Sequence, residues 1–272
     1  MHEFAGKTAV VSGAASGIGL ATASALAKQG MAVALVDIRE NAVVDAAATL
    51  AESGSQAIGL AVDVTDAEAV DRLADRINAE FGPIHLLMNN AAVFMRGQGV
   101  ENIGDDMWDW LLGVNLYGPI HFVRSFLPLM QAHGEVGHII NTASISGMAV
   151  RDRKNGAYAT TKFGLVGFSE ALRHDLTDTR IGVSVLFPGF VASDFYVTSA
   201  QHRGDLGGPN LFPETPADTA SGMTPEEVAD RILDGIRNDR FYIATHTATR
   251  TMIEDKYREI MESYDAAAAW DS

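Results

Sequence analysis

Short apolar runs alternate along the chain with longer stretches in which apolar residues recur every three to four positions. The runs Thr8–Ser12, Met31–Val36, Ala57–Val62, Ile84–Met88, His138–Asn141, Val183–Phe187 and Phe241–Ala244 read as strands. Most are apolar at consecutive positions, as strands buried on both faces must be. The periodic stretches Gly17–Gln29, Glu40–Ser53, Ala67–Phe81, Asp106–His133, Ala157–Thr177 and Pro225–Asn238 read as helices. Buried strands separated by helices pair in parallel, with helices on both faces. The pattern therefore predicts an α/β chain, a doubly wound parallel sheet forming one domain over residues 1–272. No linker-like run or repeat divides it, and the alanine run Ala266–Ala269 is its one low-complexity stretch.

Residues 192–222 break the rhythm. They carry Gly204, Gly207, Gly208, Pro209, Pro213 and Pro216 with little periodicity. A long irregular segment in a compact domain is commonly a lid or a disordered stretch. This one follows the sixth strand, at the carboxyl edge where such sheets bind ligands, and is expected to be a lid over the substrate.

Charge narrows the choice of partner. The 272 residues hold 35 acidic and 20 basic side chains, a formal net charge of −15. A nucleic-acid footprint needs a basic face, and anionic lipid attracts basic segments, so neither partner is expected. With no cysteine there is no disulfide, thiolate zinc site or thiol nucleophile. The start lacks a basic region followed by an apolar run, and later apolar runs are too short to span a bilayer. A soluble cytoplasmic protein is expected.

The first strand runs into Gly13-Ala14-Ala15-Ser16-Gly17-Ile18-Gly19 and then a helix. Glycine permits the tight turn and lets the backbone approach a pyrophosphate, which helix-start N–H groups then face. The G-x-x-x-G-x-G spacing differs from the general dinucleotide fingerprint. Asp37 ends the second strand, 18 residues beyond Gly19. A carboxylate there can accept from the adenosine ribose hydroxyls of NAD and would repel the 2′-phosphate of NADP. No Lys or Arg lies within residues 12–20 to offset it, and Arg39 is expected to point to solvent.

Tyr158 and Lys162 stand four apart in a predicted helix and share a face. A phenol, with its reference pKa near 10, needs a nearby ammonium to act as a base around neutrality. Ser144 follows the fifth strand at the carboxyl edge, where its hydroxyl could hold a substrate oxygen. Asn115 lies in the long predicted helix, where it could fix backbone or water. Each residue alone has an ordinary explanation; their combination is the signal.

The chain resembles the short-chain dehydrogenase/reductase family over essentially its whole length, most closely over residues 5–190. The matching motifs are Ser12 to Gly19, Asp63-Val64, Asn89-Asn90-Ala91-Ala92, Asn115, Ser144 with Tyr158 and Lys162, and Pro188-Gly189. The resemblance implies a Rossmann-like fold and reversible hydride transfer between a secondary alcohol or ketone and NAD. It implies Tyr158 as acid/base, Lys162 on the nicotinamide ribose, Ser144 orienting substrate, and Asn115 holding a relay water. NAD contacts are implied at Ser12, Gly13, Ser16, Gly17, Ile18, Gly19, Asp37, Asp63, Val64, Asn90, Ala91, Tyr158, Lys162, Pro188, Gly189, Val191 and Ser193. Ala92 stands where Gly is commoner, and Ser12 and Ser193 where Thr is commoner; both serines keep the hydroxyl.

Substrate contacts are expected from Ser144, Met148, Tyr158, Phe190 and Phe195, with Phe94, Met95, Ile145 and Tyr196 nearby. This largely apolar set suits a bulky, apolar or aromatic alcohol. The segments around Trp108–Tyr117 and Asp239–Tyr242 resemble dehydrogenases of lignin-derived aryl alcohols. His85, His121, His138 and His174 lack a compact ligand spacing, and no metal is assigned. Family usage of the long helix and the Tyr/Lys helix implies a homotetramer or homodimer. The alternative is a catalytically silent dinucleotide-binding or interaction protein on the same scaffold, which fold alone would permit. An epimerase or dehydratase relative would need another glycine spacing and a larger C-terminal substrate region.

Overall fold

The computed structural model describes residues 1–150, 153–203, 206, 222–268 and 270. Seven parallel strands form one sheet: β1 (Thr8–Ser12), β2 (Ala32–Asp37), β3 (Ala57–Ala61), β4 (Ile84–Asn89), β5 (Gly137–Thr142), β6 (Ile181–Phe187) and β7 (Tyr242–Ala244). Their order is β3-β2-β1-β4-β5-β6-β7. The chain thus moves outward from β1 in one direction, then crosses back and moves outward from β4 in the other. The crevice between β1 and β4 is the switch point at which such sheets take ligands.

Neighbouring residues of a strand face opposite sides of a sheet, so each strand feeds two cores. On β1, Val10 joins one core and Ala9 and Val11 the other; on β4, Leu87 opposes Leu86 and Met88. The first core is closed by α3 (Ala67–Phe81), α5 (Gly118–Ala132) and α6 (Gly156–Asp175), through residues such as Leu73, Phe122, Phe126 and Val166. The second is closed by α1 (Gly17–Lys28), α2 (Glu40–Glu52) and α8 (Pro225–Arg237), through Leu26, Val43, Val228 and Ile232. Helix α8 starts on a reciprocal cap. The Thr224 hydroxyl accepts from the Glu227 N–H, the Glu227 carboxylate accepts from the Thr224 N–H, and Pro225 occupies the first turn.

Three elements depart from expectation. The helix predicted over 106–133 is interrupted. An α-helix, α4 (Asp105–Leu112), runs into a π-helical turn over Gly113–Tyr117, and α5 then resumes. The Gly118 N–H reaches back five residues to the Gly113 carbonyl. Helical periodicity continues through the insertion, which hides it from a pattern reading. Part of the stretch read as irregular is a helix, α7 (Phe195–His202). A further helix, α9 (Arg250–Ala268), extends beyond β7 and was not anticipated, since its polar composition masks its apolar stripe. Residues 204, 205 and 207–221, most of the predicted lid, lie outside the described residues.

Candidate active site

The switch-point crevice is closed from below by one hydroxyl. Ser12 Oγ accepts from the N–H groups of Asn90 and Ala91 at 3.0 and 3.1 Å, and lies 3.4 Å from the Met88 carbonyl. The Asn90 amide reciprocates, donating to the carbonyls of Ser12 and Gly13, each at 3.2 Å. Gly13 has φ +64°, and a Cβ there would lie 2.8 Å from Ala91 Cα. A Cβ on Gly19 would run into the Gly13 carbonyl. Glycine is required at both places for α1 to dock with its N-terminus over the crevice. Ser193 reaches across from the β6–α7 connection, 3.4 Å from where a Gly17 Cβ would stand.

Asp37 lies beside this turn, and its surroundings correct one expectation. Arg39 does not extend into solvent. It folds back, donating from Nε to Asp37 Oδ1 at 3.0 Å, and from Nη2 to Asp37 Oδ2 at 3.3 Å and Ser16 Oγ at 2.9 Å. The N–H groups of Ala15 and Arg39 also donate to the carboxylate, each at 3.1 Å. The negative charge at the end of β2 is therefore partly neutralised. Asp63 is exposed and accepts from Thr65, while Val64 is buried with its carbonyl accepting from His121.

The same edge of the sheet carries Ser144, Tyr158, Lys162 and Asn115, all buried. Lys162 Nζ donates to the Thr142 carbonyl at the end of β5, 2.8 Å away, and lies 5.7 Å from the Tyr158 ring centre. Burial pushes the Lys162 ammonium down to about 7. Burial, then the nearby Tyr196, pushes the Tyr158 phenol up, while a hydrogen bond with Ser144 pulls it down. Ser144 Oγ also accepts from the Ser146 N–H, capping a short 3₁₀ turn, and the Ile145 N–H donates to the Pro188 carbonyl. Gly189 is pressed against His246: a Cβ there would lie 2.9 Å from that imidazole ring. Val191 is buried in a bridge to Met223.

Asn115 sits within the π-helical turn. Its Oδ1 accepts from the Val93 N–H at 2.8 Å, and its Nδ2 donates to the Val93 carbonyl at 2.9 Å and Thr161 Oγ1 at 3.1 Å. Thr161 in turn donates to the Tyr158 carbonyl. The amide thereby fixes both the strand-to-helix loop after β4 and the helix that carries Tyr158.

Aromatic rings wall the tyrosine. Phe94 meets Tyr158 edge-on with centroids 4.8 Å apart, and meets Tyr196 edge-on at 4.8 Å. Phe195 lies 6.1 Å from Phe94. Phe190 is 48% exposed, Met148 is partly buried against the first core, and Met95 turns into a separate cluster with Ile103, Met107 and Leu111. Ser199 and Thr161 carry contacts that sequence reasoning missed; small hydroxyl residues in a helix leave no sequence signal.

Among the described residues, one group with metal-binding reach lies at the opposite edge of the sheet: His85, His133 and Glu135. His85 Nδ1 accepts from the Thr8 N–H while Nε2 faces Glu135. His133 Nδ1 accepts from the Glu135 N–H while Nε2 faces the Ile84 carbonyl. Every ring nitrogen is engaged within the protein.

The sequence matches the family model for short chain dehydrogenases over residues 7–204. The chain belongs to the short-chain dehydrogenase family. It is 31% identical over 270 residues to a C alpha-dehydrogenase of Sphingobium sp., covering 97% of this chain and 88% of that one. It is 32% identical over 261 residues to the 1-deoxy-11-beta-hydroxypentalenate dehydrogenase of Streptomyces exfoliatus, covering 93% and 88%. A short-chain dehydrogenase/reductase from Burkholderia phymatum, solved in complex with NAD, superposes with a TM-score of 0.87 at 33% identity, covering 97% of each chain. Among the described residues, no helix of this short-chain dehydrogenase is long and apolar enough to cross a membrane.

Proposed function

We propose that this short-chain dehydrogenase is an NAD-dependent oxidoreductase that interconverts a secondary alcohol and its ketone, with Tyr158 as acid/base. The observation that carries the reading is Tyr158 and Lys162 buried side by side with Ser144 and Asn115, on the sheet edge that opens onto the glycine turn.

The residues present fit NAD. The glycine turn leaves no room for a Cβ at Gly13 or Gly19, as a cradle for a pyrophosphate requires. Gly17, Ile18 and Ser16 would lie along the phosphates, with Ser193 above them. Lys162 Nζ has three donors and spends one on Thr142, which leaves two for ribose hydroxyls. Asp37 would accept from the adenosine ribose once Arg39 shifts. Asp63, Val64, Asn90 and Ala91 would border the adenosine, and Pro188, Gly189 and Val191 the nicotinamide. The NAD complex of the Burkholderia relative supports this choice. When bound, NAD supplies the two-electron redox chemistry.

The chain's own residues manage the proton. In oxidation the Tyr158 phenolate oxygen takes the substrate hydroxyl proton; in reduction the phenol returns it. Burial opposes the phenolate; the Ser144 hydrogen bond offsets it, and the role we assign to the Lys162 ammonium is to do the same by its charge. Ser144 holds the substrate oxygen beside the phenol. Asn115 fixes the Tyr158 helix against the Val93 loop and holds a relay water. Phe94, Phe195 and Tyr196 wall the approach, with Met148 and Phe190 at its margins, which favours a bulky, apolar or aromatic substrate. Helix α7, in the described part of the stretch read as a lid, covers the approach within a single domain. On the family resemblance, α5 and α6 carry subunit contacts of a homodimer or homotetramer, and the cytoplasm is its setting.

The test is a screen for NAD reduction over aromatic, steroid, sugar and aliphatic secondary alcohols, with Tyr158→Phe alongside. A bulky apolar alcohol should turn over. Tyr158→Phe should retain NADH affinity and lose about 10²-fold or more in turnover, the usual range for positioned acid/base catalysis. Activity of Tyr158→Phe within about tenfold of the parent would overturn the assignment.

A further inference from the structure

The C-terminal helix α9 runs for 19 residues and none of them is buried. Helices in proteins draw most of their stability from packing an apolar face. This helix has such a face: Ile253, Tyr257, Ile260, Tyr264 and Ala267 follow one another at spacings of four, three, four and three. That alternation keeps one seam facing a partner helix, as in a coiled coil. Tyr257, Ile260, Met261 and Tyr264 are 51, 38, 58 and 67% exposed. Exposed apolar residues in a continuous row mark an interaction surface.

The helix is attached to its own protomer by another side chain. Lys256 Nζ donates to the Met148 carbonyl at 2.7 Å and lies 4.3 Å from the Phe163 ring centre. Ile253, at the start of the seam, is half-buried, while Tyr257, Ile260 and Tyr264 stay exposed.

Charge identifies the occupant. Residues 250–258 hold Arg250, Lys256 and Arg258 against Glu254 and Asp255. Residues 259–268 hold Glu259, Glu262 and Asp265 with no base. A second α9 laid parallel would set acidic end against acidic end. Laid antiparallel, each acidic end meets the more basic end of the other. A net charge of −15 disfavours a nucleic acid or an anionic membrane as the occupant.

We propose that α9 is a self-docking helix: two copies of this chain pair antiparallel through the Ile253–Ala267 seam, with Ile260 near the two-fold axis. The pairing does not depend on the catalytic reading; Lys256 sets α9 beside Phe163 of α6.

Because the chain has no cysteine, single cysteines report the geometry directly. Full-length Ile260→Cys, oxidised at micromolar concentration, should give a covalent dimer on a non-reducing denaturing gel. Ile253→Cys alone should not, because antiparallel partners place the two copies about 21 Å apart at 1.5 Å per residue. An equal mixture of Ile253→Cys and Ala267→Cys should cross-link. Glu262→Cys, on the outer face, is the collision control. In a second measurement by light scattering, Ile260→Glu should halve the solution mass relative to the parent chain. A dimer from Ile253→Cys alone would overturn the antiparallel pairing. Equal cross-linking at Glu262→Cys, an unchanged mass for Ile260→Glu, or an Ile260→Cys thiol that resists alkylation without dimerising would overturn the second copy as occupant.

Discussion

Phe94 and Ser199, 105 residues apart, are joined by a backbone N–H to hydroxyl hydrogen bond of 3.1 Å. The bond pins α7 to the loop after β4. It does so one residue from the Val93 backbone that Asn115 holds. The aromatic wall over Tyr158 is thus assembled from two segments, joined by this hydrogen bond and by the contacts of Phe94 with Phe195 and Tyr196.

Removing the clamp should loosen the wall and spare the dinucleotide site. Ser199→Ala is expected to raise KM for the alcohol by about threefold to tenfold, the equivalent of one neutral hydrogen bond. NADH affinity, read from nicotinamide fluorescence, should stay within about twofold of the parent. Equal weakening of both would mean α7 supports the whole cleft.

Arg39 should set how strongly Asp37 rejects a 2′-phosphate. With the guanidinium laid over the carboxylate, the repulsion is muted. Arg39→Gln bares the charge and removes a phosphate partner, so NADPH should bind about tenfold more weakly, as for loss of one charge-assisted bond. NADH should change by less than about threefold. The two dissociation constants, measured by fluorescence titration, give the ratio directly. A parallel shift in both would remove Arg39 from cofactor selection.

Asn115 couples chemistry to stability. Asn115→Ala strands the Val93 N–H and carbonyl in a buried site, while the Thr161 hydroxyl keeps its bond to the Tyr158 carbonyl. Unpartnered buried groups cost about 1–3 kcal/mol each, so a loss of about 3 kcal/mol in urea unfolding is expected. Turnover should fall as well, since the helix bearing Tyr158 loses its tie. A variant of parental stability would show that water replaces the amide without penalty.

His138 should make the fold acid-sensitive. It is wholly buried on β5, its Nε2 faces Ser184 Oγ, and burial pushes its pKa from 6.5 down to about 4. A base with a depressed folded pKa stays neutral in the fold and charges in the unfolded chain. Its contribution is complete above pH 6.5 and is lost as the pH falls from 6.5 towards 4. The full loss is about 3 kcal/mol, and His85 is shifted in the same direction. Urea midpoints between pH 6.5 and about 5 should fall in the parent and flatten in His138→Gln. Identical slopes would assign the effect to other groups.

The strands and most helices were legible because consecutive apolar residues and three-to-four spacing are direct consequences of burial on two faces or one. The glycine turn was legible from its place between a strand and a helix, and Tyr158 and Lys162 from their helical spacing. Arg39 was misplaced because a sequence does not reveal whether a long side chain folds back on its neighbour. Ser199 escaped because a hydroxyl acts through a tertiary contact that no local pattern encodes. Helix α9 escaped because its seam is diluted by eight charged residues among Arg250–Ala268.

The extra residue wound into Gly113–Tyr117 acts as a phase shifter between two otherwise ordinary helices. An ordinary helix advances about 100° per residue. A chain lacking one residue here would pass from α4 to α5 without interruption, and everything on one side of the join would turn by that angle. The amide would swing off Val93, or Phe122 and Phe126 would leave the core. Catalytic geometry and hydrophobic packing cannot both be served by a regular helix at this place. Fold and site geometry are reconciled by one surplus residue.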